Sequence, residues 1–283
     1  MKKNLFQDDA FLADVNATKG ATYDSFRLRW LGQSGFLVQW KHVHLLLDPY
    51  LSDSLTDKYA NTDRPHVRIS ERVIEPSRLA FVGIVTVSHV HTDHCDPQTL
   101  RPLALANPGL TVIAPRAICN IVEERAGISG FVTMIDGSET RLRDFHFVAI
   151  PSAHNTLETN DQGHHLYLGY IVRFGGWTIY HSGDTKLYPG LAERLRPYNI
   201  DVALLPINGD RPERRVAGNL NGKEAAQLAK DIGAKLVIPC HYDMFEFNTA
   251  DPADEFIPEC ERLNQPYRVL QQGERFSSAE LPR

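Results

Sequence analysis

Cysteine is scarce in this chain: of 283 residues only Cys95, Cys119, Cys240 and Cys260 carry thiols, and no two form a CxxC pair. That scatter argues for reduced thiols in a cytoplasmic protein rather than a disulfide framework. Long apolar runs are missing as well. No window approaches the ~18 uninterrupted apolar residues of a membrane-spanning helix, so none is expected. Basic charge is not in excess, with 30 Lys and Arg against 35 Asp and Glu and a formal net charge of -5, which counts against a general nucleic-acid binder. The first residues do not make a signal peptide, because Lys2 and Lys3 meet Asp8 and Asp9 before any apolar run forms. No Trp/Lys-rich amphipathic stretch offers itself to a membrane surface. What remains is a chain 42% hydrophobic and 23% charged, long enough to bury a sizeable core.

The densest chemistry lies in Phe81 to Asp96, FVGIVTVSHVHTDHCD. Phe81 to Ser88 is β-branched and almost wholly apolar, the pattern of a strand buried on both faces. It breaks into His89, His91, Asp93 and His94, four metal-type donors within six positions. Imidazole with carboxylate suits zinc, manganese or iron better than magnesium or calcium. Three later places repeat the design of a ligand-type residue at a strand end. His154 follows Phe145 to Pro151, Asp184 follows Trp177 to Tyr180 within His181-Ser182-Gly183-Asp184-Thr185, and His241 follows Leu236 to Cys240. Strand ends that lead to one rim of a sheet are where α/β folds build sites.

The rest of the chain supplies the frame. Residues 1–22 read as an N-terminal arm, with a short helix over Asp9 to Val15. FRLRWL, GFLVQW and VHLLLD, divided by turn residues, read as an antiparallel meander stopped by Asp48-Pro49. Leu51 to Ser77 has no clear period and is expected to be a long loop or small lid. Helices are expected over Pro97 to Ala106, Arg116 to Arg125, Lys223 to Ile232 and from Asp251-Pro252 to about Leu263. Further strands are expected at Thr111 to Ala114, Phe131 to Ile135, Leu166 to Phe174 and Val202 to Pro206, with Tyr267 to Leu270 closing the sheet. Strands as a meander and then alternating with helices, twice over, predict an α/β fold: an αββα sandwich of two mixed β-sheets flanked by helices, as one domain over 1–283.

With these residues in view, the chain resembles the metallo-β-lactamase-fold metal-dependent hydrolases. The resemblance is carried by HxHxDH after an apolar strand, then His154, Gly183-Asp184-Thr185 and His241, over roughly Arg27 to Asp251. Leu31-Gly32-Gln33-Ser34-Gly35 and Leu46-Leu47-Asp48-Pro49 also fit that superfamily. Tyr180-His181-Ser182-Gly183-Asp184, Ile200-Asp201-Val202-Ala203-Leu204 and Lys235-Leu236-Val237-Ile238-Pro239 make it most similar to the L-ascorbate 6-phosphate lactonase branch. The resemblance implies that His89, His91 and His154 hold one metal, that Asp93, His94 and His241 hold a second, and that Asp184 bridges them. It implies one or two divalent ions, Zn2+ or Mn2+. Asp93 and Asp184 become the catalytic carboxylates of a lactonase-like hydrolase whose metal-bound hydroxide opens a lactone, or a related ester, of a small anionic, phosphorylated sugar-like substrate.

Other residues divide between this reading and blander ones. Asn208, Arg211 and Arg214 follow Val202 to Pro206 and could receive an anion; a solvated charged loop is the equal alternative. Tyr242 and His165 are further substrate-binding candidates, and His181 is expected to be structural. Cys95 and Cys240 adjoin ligands but are expected to be buried free thiols, since the donor set is complete without them. Competing functions are a phosphodiesterase acting on a nucleotide, nucleic acid or phospholipid headgroup, and a non-catalytic metal-binding sensor. The expected partner is a small-molecule substrate, without nucleic acid or membrane, and assembly into a homo-oligomer is left open.

Overall fold

Arg27–Gly32 (β1), Gly35–Trp40 (β2) and Val43–Leu47 (β3) form the antiparallel meander in the computed structural model, which describes residues 1–17, 25–128 and 130–281. Three parallel strands extend it: β4 (Ile84–Thr86), β5 (Thr111–Pro115) and β6 (Phe131–Met134). The second sheet runs from β7 (Glu139–Leu142) through β8 (Phe145–Pro151), β9 (Leu168–Phe174) and β10 (Trp177–His181) to β11 (Val202–Pro206) and β12 (Leu236–Cys240). Its first strands pair antiparallel, and β10, β11 and β12 pair in parallel. The far edge of the first sheet is closed by β13 (Arg275–Ser277), antiparallel to β1. Both sheets are mixed, and helices cover their outer faces.

The side-chain period of two explains why these strands read as continuous apolar runs. Leu28, Trp30, Phe36, Val38, Leu45 and Leu47 point between the sheets, while Leu37, Leu46, Val85 and Val112 point under the helices of the first layer. Each such side chain contributes roughly 1.5–3 kcal/mol on burial. On the first layer lie α1 (Asp8–Ala17), α3 (Pro97–Ala106) and α4 (Cys119–Ala126), the last closed by Gly127 in the left-handed region as its sequence indicated. Between α1 and α3, α2 (Ser54–Tyr59) stands in the stretch expected to be a loop or lid. The second layer carries α5 (Leu191–Leu195), α6 (Gly222–Asp231) and α7 (Phe256–Leu263). Asn221 caps α6 in a capping box with Glu224, and Ala225, Ala226, Leu228 and Ala229 face inward.

Several expectations need correction. The ladder of the central strand is only Ile84–Thr86, although Val87 N–H still donates to Ile113 and the Ser88 carbonyl accepts from Leu168 of the other sheet. Asp251 does accept from Ala253 N–H at 2.9 Å, but that turn ends and α7 begins only at Phe256, whose ring is fully buried. Tyr267 makes a single bridge to Val237 and no strand follows; β13 closes a sheet instead. The described part of the N-terminal arm is no loose segment. Phe11 and Val15 are buried, and the Asp14 carboxylate pairs with fully buried Arg29 and with Arg275, each at 2.8 Å. Residues 18–22 of that expected arm lie outside the described residues.

Candidate metal centre

Four strand ends converge on one rim. After β4, the chain makes a single tight turn in which His94 and Cys95 N–H groups donate to the His91 carbonyl at 3.0 and 2.8 Å. Asp96 then caps α3, accepting from Thr99 Oγ1 at 2.6 Å, so the ligand turn is fixed at both ends. Arg125 of α4 braces it from outside through the carbonyls of Val90 and Cys95. His154 follows β8, Asp184 follows β10 and His241 follows β12. Gly183 turns the chain into Asp184 at φ +59, and a Cβ there would lie 2.7 Å from that of Ser88, so only glycine lets the two strand ends meet.

The side chains form two triads. His89, His91 and His154 each bring one donor atom within 4.8 Å of the others, and so do Asp93, His94 and His241. Asp184, almost fully buried, lies between them. Its Oδ1 is 3.2 Å from His94 Nε2, and its Oδ2 is 3.5 Å from both His154 Nε2 and His241 Nε2. The buried Nε2 of His89 has no hydrogen-bond partner, and that of His94 has only its contact with Asp184. Buried polar atoms are normally satisfied. The donor set therefore fits divalent cations, with imidazole and carboxylate oxygen as the chemistry that zinc or manganese accepts.

Behind the triads, one carboxylate fixes the rings. Asp48, fully buried at the end of β3, accepts from His94 Nδ1 at 2.7 Å, from Ser88 N–H at 3.0 Å and from Thr86 Oγ1 at 3.2 Å. The Ser88 hydroxyl also donates to Asp48 and receives His89 Nδ1 at 2.9 Å. This network assigns the proton of both rings to Nδ1 and leaves Nε2 to face the centre. His154 Nδ1 donates to the Gly218 carbonyl at 2.8 Å with the same effect. Gln33 Nε2 donates to Asp93 Oδ2 at 3.0 Å. Asp48, Ser88 and Gln33 were not singled out from the sequence as parts of the site. Asp48 carried the signal that found the ligands, an acidic residue closing an apolar strand.

The two triads differ in proton affinity. Burial, with the neighbouring His94 and His91, holds His89 well below its usual range, and burial with His154 lowers His91 to about 4. Burial also resists charge on His94 and His241, but Asp184 and Asp93 overcome it, raising His94 well above its ordinary value and His241 to about 9. Both carboxylates are correspondingly depressed: burial opposes their ionisation, and the same histidines outweigh it. At pH 7 a cation entering the His89–His91 site displaces no proton from those two rings, whereas one entering beside His94 and His241 displaces two. Affinity at the second site should therefore rise with pH from 7 toward about 9, more steeply than at the first. Chelator competition across that range would show it; parallel slopes at both sites would contradict the assignment.

The expected substrate contacts sit elsewhere than expected. Asn208 is buried, held by Asn248 Oδ1 at 2.9 Å and Asn219 Nδ2 at 3.0 Å. Arg214 spends its guanidinium on the Asn208 and Thr249 carbonyls. Tyr242 stacks on Trp30 at 4.2 Å and donates its hydroxyl to Leu270, a core role. Arg211 is exposed outside the cavity, and His165 bridges Thr159 within its own loop. His181 is fully buried and tied to the Ser34 carbonyl at 2.8 Å. Cys95 and Cys240 are buried free thiols, that of Cys95 pushed up to about 11 by burial. The cavity over the triads, about 440 Å³, is walled instead by residues of α2, the 64–66 segment, the 215–217 segment and 245–248.

Comparison with known proteins agrees with this architecture. A family model described as the beta-lactamase superfamily domain matches residues 44–242. A metal-dependent hydrolase of Caldivirga maquilingensis is 28% identical over 244 residues, covering 86% of this chain and 92% of that protein. A metallo hydrolase from Ignicoccus hospitalis superposes with a TM-score of 0.65 at 21% identity, over 89% of this chain and 98% of that one. A metallo-beta-lactamase fold protein from Bacillus subtilis gives a TM-score of 0.63 at 16% identity, over 90% of this chain and all of its own.

Proposed function

The chain belongs to the beta-lactamase superfamily domain family, with the metallo-β-lactamase fold, and from that premise we propose that it is a metal-dependent hydrolase acting on a lactone or related ester of a small anionic molecule. The observation that carries this reading is Asp184, one buried carboxylate within 3.5 Å of ring nitrogens from both triads. Divalent ions there, Zn2+ or Mn2+, would supply Lewis acidity, acidifying water toward neutrality and neutralising charge that builds on a substrate oxygen. His89, His91 and His154 would hold one ion, and Asp93, His94 and His241 the other.

The protein's own groups do the rest. Asp48 and Ser88 keep the His89 and His94 rings oriented through their Nδ1 atoms. Asp93 differs from Asp184 in keeping 15% of its side chain exposed, toward the cavity that it lines. Its Oδ2 is engaged by Gln33 and His241, which leaves Oδ1 to accept a hydrogen bond from attacking water and orient it. Buried Asp184 has no such freedom and acts by holding charge. We place the protein in the cytoplasm, acting on a small molecule without nucleic acid or membrane. Among the described residues no helix is long and apolar enough to cross a membrane.

The test is a panel of generic lactones, carboxylic esters and bis-aryl phosphodiesters offered to protein loaded with zinc or with manganese. Lactone or ester turnover that chelation abolishes is the expected result. Preference for the phosphodiester would replace the substrate class, and full metal occupancy with no turnover on any member would point to a sensor.

A further inference from the structure

The cavity above the triads has walls of unlike chemistry. One is aromatic. The His66 imidazole stacks on Tyr59 at 4.4 Å and 27°, and the rings of Phe245 and Phe247 meet it edge-on at 5.4 and 5.2 Å. His66 Nδ1 lies 3.1 Å from the Arg64 carbonyl, which fixes the imidazole plane as part of the wall. The aliphatic side chains of Val90, Val216 and Ala217 line the same cavity. These surfaces reward a flat apolar body at about 25 cal/mol per Å² removed from water.

Charge at the same cavity is positive and partly uncompensated. Arg64 and Arg215 share the Asp63 carboxylate. Arg125 is taken up by the Val90 and Cys95 carbonyls, whereas Lys58 has the Tyr59 ring at 5.2 Å and no carboxylate partner among the described residues. Polar side chains free to receive hydroxyls are few. Gln33 Nε2 is committed to Asp93 and Asn248 Oδ1 accepts from Asn208 and Arg214, which leaves Thr92 and the other half of each of those two amides. A sugar's several hydroxyls would have to share these few groups, at roughly 1–3 kcal/mol for each hydroxyl left unpaired.

Resting on the hydrolase reading above, we propose that this cavity selects an anionic lactone or ester with a flat, aryl-like body rather than a phosphorylated sugar. The body lies on the Tyr59–His66–Phe247 wall and the acidic group on Lys58. The substrate class follows from the walls, and the reaction from the centre beneath them.

Binding and turnover test the two separately. With zinc-loaded protein, 2-naphthoate should bind at least about tenfold more tightly than glucose 6-phosphate. Phe247→Ala should erase most of that preference, and Lys58→Gln should weaken 2-naphthoate while leaving neutral 2-naphthamide within twofold. Equal or tighter binding of glucose 6-phosphate, or variants that shift every probe alike, would overturn the assignment. In turnover, a carboxylated dihydrocoumarin should exceed a 6-phosphogluconolactone in kcat/KM. If both are hydrolysed without preference, the cavity assignment fails and the hydrolase stands. If neither is hydrolysed while 2-naphthoate binds as described, the hydrolase reading fails and the cavity assignment stands.

Discussion

Asp184→Asn is expected to lower kcat/KM by about 10³-fold on the best lactone or ester of the panel, about 4 kcal/mol of transition-state stabilisation. Asparagine keeps the shape but replaces an anion by a neutral amide whose NH2 group turns toward imidazole nitrogens. The residue is in reach of His94, His154 and His241, so both triads lose their shared counter-charge. His91→Ala, which removes a donor from one triad only, is the matched comparison. Equilibrium metal titration should show both sites weakened in Asp184→Asn and a single site weakened in His91→Ala. Near-normal turnover in Asp184→Asn with both sites filled would remove Asp184 from the mechanism and its bridging role with it.

The second large effect is expected at Asp48, which no substrate would reach. Asp48→Ala leaves His94 Nδ1, Thr86 Oγ1 and the Ser88 N–H without their acceptor in a site closed to water. Breaking such a buried pair costs about 3–5 kcal/mol of stability. Loss of ring orientation should weaken metal binding by about 10–100-fold. Because His89 reaches Asp48 through Ser88, the loss should fall on both triads, not only on the one containing His94. Urea denaturation of the metal-free protein separates the stability term from the binding term. A variant that is destabilised but binds metal normally would leave Asp48 a structural residue and no more.

These expectations rest on a fold that the sequence disclosed unevenly. β8, β11 and β12 could be delimited to the residue because each is largely apolar on both faces and stops at proline or cysteine. The seven ligand-type residues were legible as a set, because four donors crowd into six positions and three more follow separate strands. The two-sided burial that exposed the strands concealed the substrate wall. That wall is made by α2, the 64–66 segment and 245–248, where the sequence has no period and the ring cluster forms only through tertiary contact. Arg214 illustrates the converse error. A charged loop beside a site looks like an anion receptor, but its guanidinium saturates on local carbonyls that no sequence pattern announces. Likewise Asp251-Pro252 is a valid local cap, yet the helix waits for Phe256 to find its buried seat.

The closure of the first sheet by β13 bears on how the molecule reaches its native state. β1 pairs on one side with β2, three residues further on, and on the other with a strand in which Ser277 meets Arg27 across 250 positions of chain. Loop length adds little to the equilibrium cost, about 0.6 kcal/mol per doubling, but non-local pairing slows the search. Refolding from urea should therefore be two-paced, with the hairpin forming early and the β1–β13 ladder and the Arg275–Asp14 contact arriving late. In that interval β1 presents an unpaired edge, and chain concentration decides whether it meets its own last strand or a neighbour's.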